Sequence, residues 1–468
     1  MYIDGKLIEN NCKYSAINPA TDEVIREISV ANQETAQQAL ESAKNAEKTW
    51  GKTTIAERVE WMKRLRSALI ENQKALRMAV HQETGKSWAC TEEDFQSLID
   101  SLEFYADEIK RYTPPTIVDT KGEFKHQLRH MPIGVVVAYL SWNFPLLNLG
   151  FKLGPAMAAG CPIILKPSIK APLSAYLVGK ICHDIGLPKG AVSVFAGNDR
   201  EVGNYLSSST IPQMLTLIGS ISTGVKVMQA GATSIKRYSM ELGGNTPFIV
   251  LEDADLDLAA DILCGLKYNN SGQICVAPNR VMVAKSVQQA FLEKVTERAD
   301  RVAVGYDIES DFVMGPVIDK WERDRIHKLV ESALSAGATL VRGGQFDRDE
   351  VGAFYPPTVI TDVTPEMDIY QEEIFGPVIS IMTIEDHQDV IAMANETDTG
   401  LASYIFSRDT GKAQRMADQL EFGEVQINGV KYGIDLPHVG IKQSGIGCDC
   451  SKYALDDYFY LARITQAM

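Results

Sequence analysis

The chain is poor in the features that mark secreted, membrane-embedded or nucleic-acid-binding proteins. Its 468 residues include only eight cysteines, too few for a disulfide scaffold. Cys12, Cys90, Cys161, Cys182, Cys264, Cys275, Cys448 and Cys450 also lack metal-ligand spacing, so reduced thiols are expected. Cys448 and Cys450 form a C-x-C pair with no histidine or further cysteine adjoining it, and no metal is expected there. No apolar run is long enough to span a bilayer. Met1 is followed by YIDGKLIENN, which has neither a basic n-region nor an apolar h-region, so no secretory signal and a cytoplasmic location are expected. Positive charge is scarce as well: 46 Lys and Arg against 61 Asp and Glu leave a net charge of −15. Nucleic-acid phosphate needs concentrated Lys and Arg, so that partner class is excluded, whereas a small anionic substrate at a local positive site is not. The G-x-G-x-x-G fingerprint, repeats of 20 to 50 residues and low-complexity segments are all missing.

What remains is the composition of an ordinary globular enzyme, 45% hydrophobic and 23% charged, with length for two or three domains. Residues 33 to 111 place apolar side chains at three and four spacings among charges, which predicts amphipathic helices. TPPTIVDTKGEFKHQLRHMP then breaks that period with two prolines and an alternating run, which predicts a hairpin or arm. From Gly134 short apolar runs such as GVVVAYL and CPIILKPS alternate with helical segments, the pattern of βαβ units around a parallel sheet. QMLTLIGSISTGVKVMQAGA repeats that order, with Gly219 and Gly224 expected to bracket the turn. A second α/β block follows from TPFIVLEDADLDLAADILCG to VISIMTIED.

Within KYNNSGQICVAPNR, Cys275 sits among small and amide residues that fit core packing poorly. Glu241 lies in SMELGGNTP, where Gly243 and Gly244 permit close backbone approach. Each alone has a plainer reading, since a lone cysteine is commonly a small buried hydrophobe and a lone glutamate is commonly solvated. Asn143 in SWNFPLLNLGFKLGP adds a third group, at a strand end before a helix, where open parallel sheets bind ligands.

Together these segments resemble the aldehyde dehydrogenase superfamily. The resemblance runs almost end to end, through NPATDEVI (18–25), SWNFP (141–145), LKPS (165–168), IGSISTG (218–224), MELGGNTPFIV (240–250), SGQIC (271–275), GPVI (315–318), EEIFGPV (372–378) and GIKQSGIG (440–447). It implies an α/β fold with a Rossmann-like cofactor domain (1–111 and 132–242), a catalytic α/β domain (243–435) and a small β oligomerisation arm (112–131 and 448–468). It further implies a homodimer or homotetramer that oxidises an aldehyde to its acid with NAD or NADP. In these roles Cys275 is the nucleophile, Glu241 the base, and Asn143 with the Cys275 backbone N–H the oxyanion hole. Lys152 matches a lysine near the family's active site, although a lysine on such a helix also caps or packs. The implied cofactor set is Ser141, Trp142, Lys166, Ser168, Gly219, Ser220, Gly243, Glu373 and Phe375.

The sequence departs from the family pattern in several places. Ile169 stands where NAD-preferring members often carry the glutamate that receives the adenosine ribose, so NADP is not barred. Phe151 replaces an arginine typical of succinate-semialdehyde and lactaldehyde dehydrogenases and removes a carboxylate clamp. His438 stands where many members have phenylalanine, near the substrate mouth, where it either meets a polar tail or packs. Ile218 stands where threonine is common. Small polar or anionic aldehydes of the lactaldehyde, sulfolactaldehyde or succinate semialdehyde type lead as substrates. Apolar or aromatic aldehydes are the alternative, followed by a non-enzymatic binding role.

Overall fold

The apolar runs become strands covered on both faces. In the computed structural model, which describes residues 1–308, 314–385 and 387–468, Val136–Leu140 and Ile163–Pro167 are buried along their whole length and pair in parallel. Continuous burial leaves no polar face to alternate with, which is why these strands read as unbroken hydrophobic sequence. Among the described residues they belong to an eight-stranded sheet. Val192–Val194 follows on one side of the pair, while Met214–Gly219 and then Arg237–Leu242 follow on the other. The chain thus reverses its direction of build beside Val136–Leu140, and ligands in open α/β sheets bind at the carboxyl ends of strands at such a reversal.

A second sheet, seven-stranded among the described residues, has Arg280–Ala284 at its centre between Val378–Ile384 and Pro247–Val250, with Ala402–Phe406 beyond the latter and Glu424–Ile427 at one edge. The segment 440–447 joins the two sheets. Gly445–Ile446 pairs with Met240 and Glu241 of the first sheet, while Ile441–Lys442 pairs with Thr399–Gly400 beside the second. Between them Ser444 accepts from the Leu242 amide at 2.9 Å, and its hydroxyl donates to the Gly243 carbonyl at 2.9 Å.

The alternating run after the long helices forms a three-stranded antiparallel sheet, in which Phe124–Pro132 lies between Thr116–Val118 and Phe459–Ala467. One expectation for the first sheet needs correction. Gly224 does not bracket the turn after Gly219 but lies inside the helix Ile221–Gly231, because a Cβ there would stand 2.9 Å from Leu242. Among the described residues, no helix is long and apolar enough to cross a membrane.

The helix Pro145–Ala159 is held closely against Trp88–Glu108. Side chains at Gly150 and Gly154 would meet Leu98 Cα at 2.8 Å and Ser101 Oγ at 2.4 Å, so glycine permits the approach. Asp94 accepts from the Leu146 and Leu147 amides at 3.1 and 2.7 Å, satisfying two of the helix's open N–H groups. Its other oxygen meets the Lys86 ammonium at 3.2 Å, and both side chains are wholly buried. Asp94→Ala would strand that ammonium and uncap the helix, so it is expected to cost about 3–5 kcal/mol in a urea melt. A loss below about 1 kcal/mol would show that the pair does not anchor this helix.

Candidate active site

The site lies where the ends of both sheets meet, around a cavity of about 960 Å³. Asn143, Phe151, Ile218, Glu241, Cys275 and His438 all line it. Asn143 follows the strand Val136–Leu140, and Glu241 lies near the end of Arg237–Leu242. Cys275 is partly exposed and follows the short turn Asn269–Gly272, in which Asn270 and Ser271 take left-handed backbone conformations. Amide side chains stabilise that turn: Asn270 Nδ2 donates to the Asn143 and Gln273 carbonyls at 3.0 and 3.1 Å, and Asn143 Nδ2 donates to the Gln273 carbonyl at 3.2 Å. The polar residues that fitted core packing poorly therefore fix the cysteine loop against the strand end of the first sheet.

Cys275 Sγ, a Glu241 carboxylate oxygen and a His438 ring nitrogen all lie within 4.8 Å of one another. His438 Nδ1 donates to Glu424 Oε1 at 2.5 Å, while Nε2 stands 3.4 Å from Glu241 Oε1. Burial and then the Glu241 charge push the Cys275 thiol up to about 12, a rise that hydrogen bonding and charge from His438 offset only in part. Burial also disfavours charge on the His438 ring, but hydrogen bonds to Cys275, Glu241 and Glu424 together raise it well above the ordinary histidine range.

Lys152 does not face the cavity. It is fully buried, with its ammonium 2.6 and 2.7 Å from the two carboxylate oxygens of Asp449, and Asp449 lines the cavity instead. Asp449 lies between the two cysteines of the C-x-C pair. Glu424, Lys431 and Tyr432 also line the cavity without having been singled out in the sequence. The available signal was the charge in EFGEVQINGVKYG, an otherwise apolar strand and turn.

The residues expected to hold a nucleotide lie along the sheet reversal. Ser220 caps the helix Ile221–Gly231 by accepting from the Thr223 amide at 3.3 Å, and a Cβ on Gly219 would touch only Leu217. Open space over that glycine, at a helix N-terminus after a strand, suits a phosphate group. Lys166 lies near the end of Ile163–Pro167, on the far side of Val136–Leu140 from Met214–Gly219, and is paired with Asp199, while Ser168 Oγ accepts from the Lys170 amide at 3.3 Å. Asn148 Nδ2 donates to the Ser141 carbonyl at 3.3 Å.

At the other end, Gly243 and Glu373 are close: a side chain on Gly243 would stand 2.5 Å from the Glu373 carboxylate, which accepts from the Gly244 amide at 3.3 Å. Burial pushes Glu373 up to about 7, the Gly244 N–H opposing and Glu241 adding to the shift. Phe375 takes a left-handed backbone conformation, φ 48°, and its ring meets Trp142 edge-on at 5.5 Å. Such a conformation is costly for a bulky residue. It is held because Arg325 donates to the Glu373 and Ile374 carbonyls at 3.2 and 2.7 Å.

Comparison with known proteins places this geometry in context. A model of the aldehyde dehydrogenase family matches residues 8–464. The glutarate-semialdehyde dehydrogenase of Pseudomonas putida is 36% identical over 460 residues, 98% of this chain and 95% of the relative. A 3-sulfolactaldehyde dehydrogenase of Pseudomonas putida is 34% identical over 98% of this chain and 94% of its own. The betaine aldehyde dehydrogenase of Staphylococcus aureus, solved with NAD+, superposes with a TM-score of 0.96 at 33% identity, over 99% of this chain and 94% of that one.

After burial itself, the Glu241 charge is the chief group opposing a thiolate at Cys275. Glu241→Gln is therefore expected to speed iodoacetamide alkylation of Cys275 at fixed neutral pH, about tenfold for each unit by which the thiol pKa falls. An unchanged or slower rate would show that this carboxylate does not hold the proton on sulfur.

Proposed function

The chain belongs to the aldehyde dehydrogenase family of NAD(P)-dependent oxidoreductases, and from that premise we propose that it oxidises a small polar aldehyde to its acid through a thioester on Cys275. The convergence of Sγ, the Glu241 carboxylate and the Asn143 amide on one cavity carries the proposal. In this mechanism the Cys275 sulfur adds to the aldehyde carbon. The developing alkoxide receives hydrogen bonds from the Asn143 amide and the Cys275 backbone N–H. The nicotinamide cofactor, NAD or NADP, supplies the hydride acceptor when bound. Glu241 then takes a proton from the water that hydrolyses the thioester and frees the acid.

The residues present fit such a cofactor. Gly219 and the helix N-terminus at Ser220 leave room and N–H donors for a pyrophosphate, and Lys166, two strands away in the same sheet and paired with Asp199, is proposed to meet the adenosine ribose. Gly243 leaves the space in front of Glu373 that any side chain would fill. Ser141, Trp142, Ser168 and Phe375 complete the proposed set.

The chemistry of the cavity rim bears on the substrate's tail. Lys431 is exposed there with no ion-pair partner among the described residues, and supplies the cation that Phe151 lacks. This supports an anionic aldehyde of the semialdehyde or sulfolactaldehyde kind. Glu93 and Asp100 on the same rim favour a second reading, a small cationic aldehyde.

The small antiparallel sheet supports assembly into a dimer or tetramer. Its edge strand Phe459–Ala467 has no further strand on its outer side among the described residues, and Leu461 is 61% exposed. Light scattering on the purified protein is expected to give twice or four times the chain mass, and a monomer would defeat this. A cytoplasmic location is proposed with it.

NAD(P)H absorbance with both cofactors and anionic, neutral and cationic aldehydes tests the function. Cys275→Ala is expected to abolish turnover. Lys431→Gln is expected to raise KM for succinate semialdehyde about five- to tenfold, the loss of one charge-assisted contact, and to leave a neutral aldehyde unaffected. Equal effects on both would remove Lys431 from substrate recognition, and preference for a cationic aldehyde would select the second reading.

A further inference from the structure

Two basic side chains line the cavity, and they stand in different places. Lys431 is exposed at the rim, whereas His438 touches the groups proposed to react. The His438 ring is held on several sides. Its Nδ1–H is donated to Glu424 at 2.5 Å, its main chain exchanges two hydrogen bonds with Asp449 at 2.8 and 2.9 Å, and Tyr432 packs edge-on at 6.2 Å. With Nδ1 committed to a carboxylate, Nε2 is the atom directed toward Glu241 and Cys275. A cysteine, a histidine and a carboxylate that orients the ring are the parts with which thiol nucleophiles are activated elsewhere. A histidine that only packed would have no need of Glu424, a largely buried carboxylate at the start of the edge strand Glu424–Ile427.

We propose that His438 is a catalytic residue whose imidazolium pairs with the Cys275 thiolate, and that Glu424 is the positioning residue that fixes and charges it. This rests on the reading of Cys275 as nucleophile and deepens it. The balance is simple. The Sγ–H bond breaks, its electron pair stays on sulfur, and the proton passes to the Glu241 carboxylate and from there to solvent through the open cavity. The imidazolium keeps both protons, Nδ1–H on Glu424 and Nε2–H toward the sulfur. Attack on the aldehyde turns the sulfur electron pair into the C–S bond and moves the charge to the carbonyl oxygen. Hydrolysis of the thioester breaks that bond and returns the pair to sulfur beside the same cation.

The titratable groups around the ring are consistent with a charge there. Glu241 faces it from the first sheet, Glu424 from the second, and the Tyr404–Tyr432 hydroxyl pair lies beyond. Asp449 adds no net charge because Lys152 neutralises it, and Cys448 and Cys450 lie in the same turn. Without His438 the thiolate would face the Glu241 carboxylate in a largely buried site.

Iodoacetamide alkylation of Cys275, followed by peptide mass across pH, reads the thiolate without aldehyde or nicotinamide. His438→Phe is expected to slow alkylation at neutral pH about tenfold or more and to move its profile to higher pH. His438→Asn, which keeps a polar group of similar size, should behave the same way. Glu424→Gln should give an intermediate shift, with kcat reduced and KM nearly unchanged for a neutral aldehyde. Alkylation profiles of both His438 variants that superpose on that of the parent protein would overturn the proposal. A change confined to KM for anionic aldehydes, with alkylation unmoved, would overturn it too and make His438 a ligand for the substrate tail. Retained turnover in Cys275→Ala would instead defeat the underlying reading, and it is scored independently of the alkylation profiles.

Discussion

The relation between Glu241 and Cys275 depends on three buried polar side chains that do the work of a sheet where no sheet continues. Arg280, at the start of an interior strand, donates to the Asn245 carbonyl at 2.9 and 3.1 Å and to the Met393 and Ala394 carbonyls at 2.9 and 2.8 Å. Asn279 bridges the Asn245 side chain, the Glu372 carbonyl and the Ile374 amide at 2.7, 2.9 and 2.8 Å. Asn245 itself donates to the Tyr370 and Gln371 carbonyls. These bonds tie the glycine turn after Glu241 to the loop bearing Glu373 and to the strand after Cys275. A buried group with unmet hydrogen bonds costs about 1–3 kcal/mol, so a fully satisfied network resists drift of any one loop. The site is consequently built on connections, although Glu241, Cys275 and Asn143 each belong to a different element.

Burial has opposite consequences for the charges inside this frame. It pushes Glu373 up to about 7 and Lys267, behind the cysteine loop, down to about 7, with each charge partly offsetting the other's shift. It pushes the Cys275 thiol up as well, and the thiol stands at about 12 with the hydrogen bond and charge of His438 already opposing the rise. A thiol in apolar surroundings with no such neighbour is inert. His438 is the group beside the sulfur that works against the rise, as Glu241 works with it.

Much of the architecture was legible in sequence because it follows from local rules. Runs such as VVAYL and IILKP announce strands buried on both faces, and the alternation in FKHQLRHMP announces a half-exposed one. Cys275, Glu241 and Asn143 were legible because short motifs surround them. Glu424 and Asp449 were not, since each is placed by a partner elsewhere in the chain, Glu424 by His438 and Asp449 by Lys152, and Lys431 was not, since only the fold brings its turn to the cavity rim. Gly224 was misread for the same reason, because its small size answers to Leu242 across the sheet rather than to its own turn. Phe375 could be recognised from its motif, but its left-handed backbone could not, since phenylalanine carries no local preference for that region.

Two departures from the family pattern acquire a common sense in this geometry. Phenylalanine at 151 subtracts a cation from the part of the cavity that meets a substrate's tail, and histidine at 438 adds one beside the sulfur. The cation beside the sulfur serves chemistry, whereas the one at the rim, Lys431, serves recognition. A cation next to the thiolate favours every aldehyde alike, so it raises reactivity without selecting among substrates. Selection then falls to the rim, where Lys431 stands against Glu93 and Asp100 in a solvent-exposed setting. Exposed charges discriminate weakly, because water screens them and the side chains that carry them are mobile. An enzyme arranged in this way discriminates among small polar aldehydes less sharply than one with a buried arginine clamp.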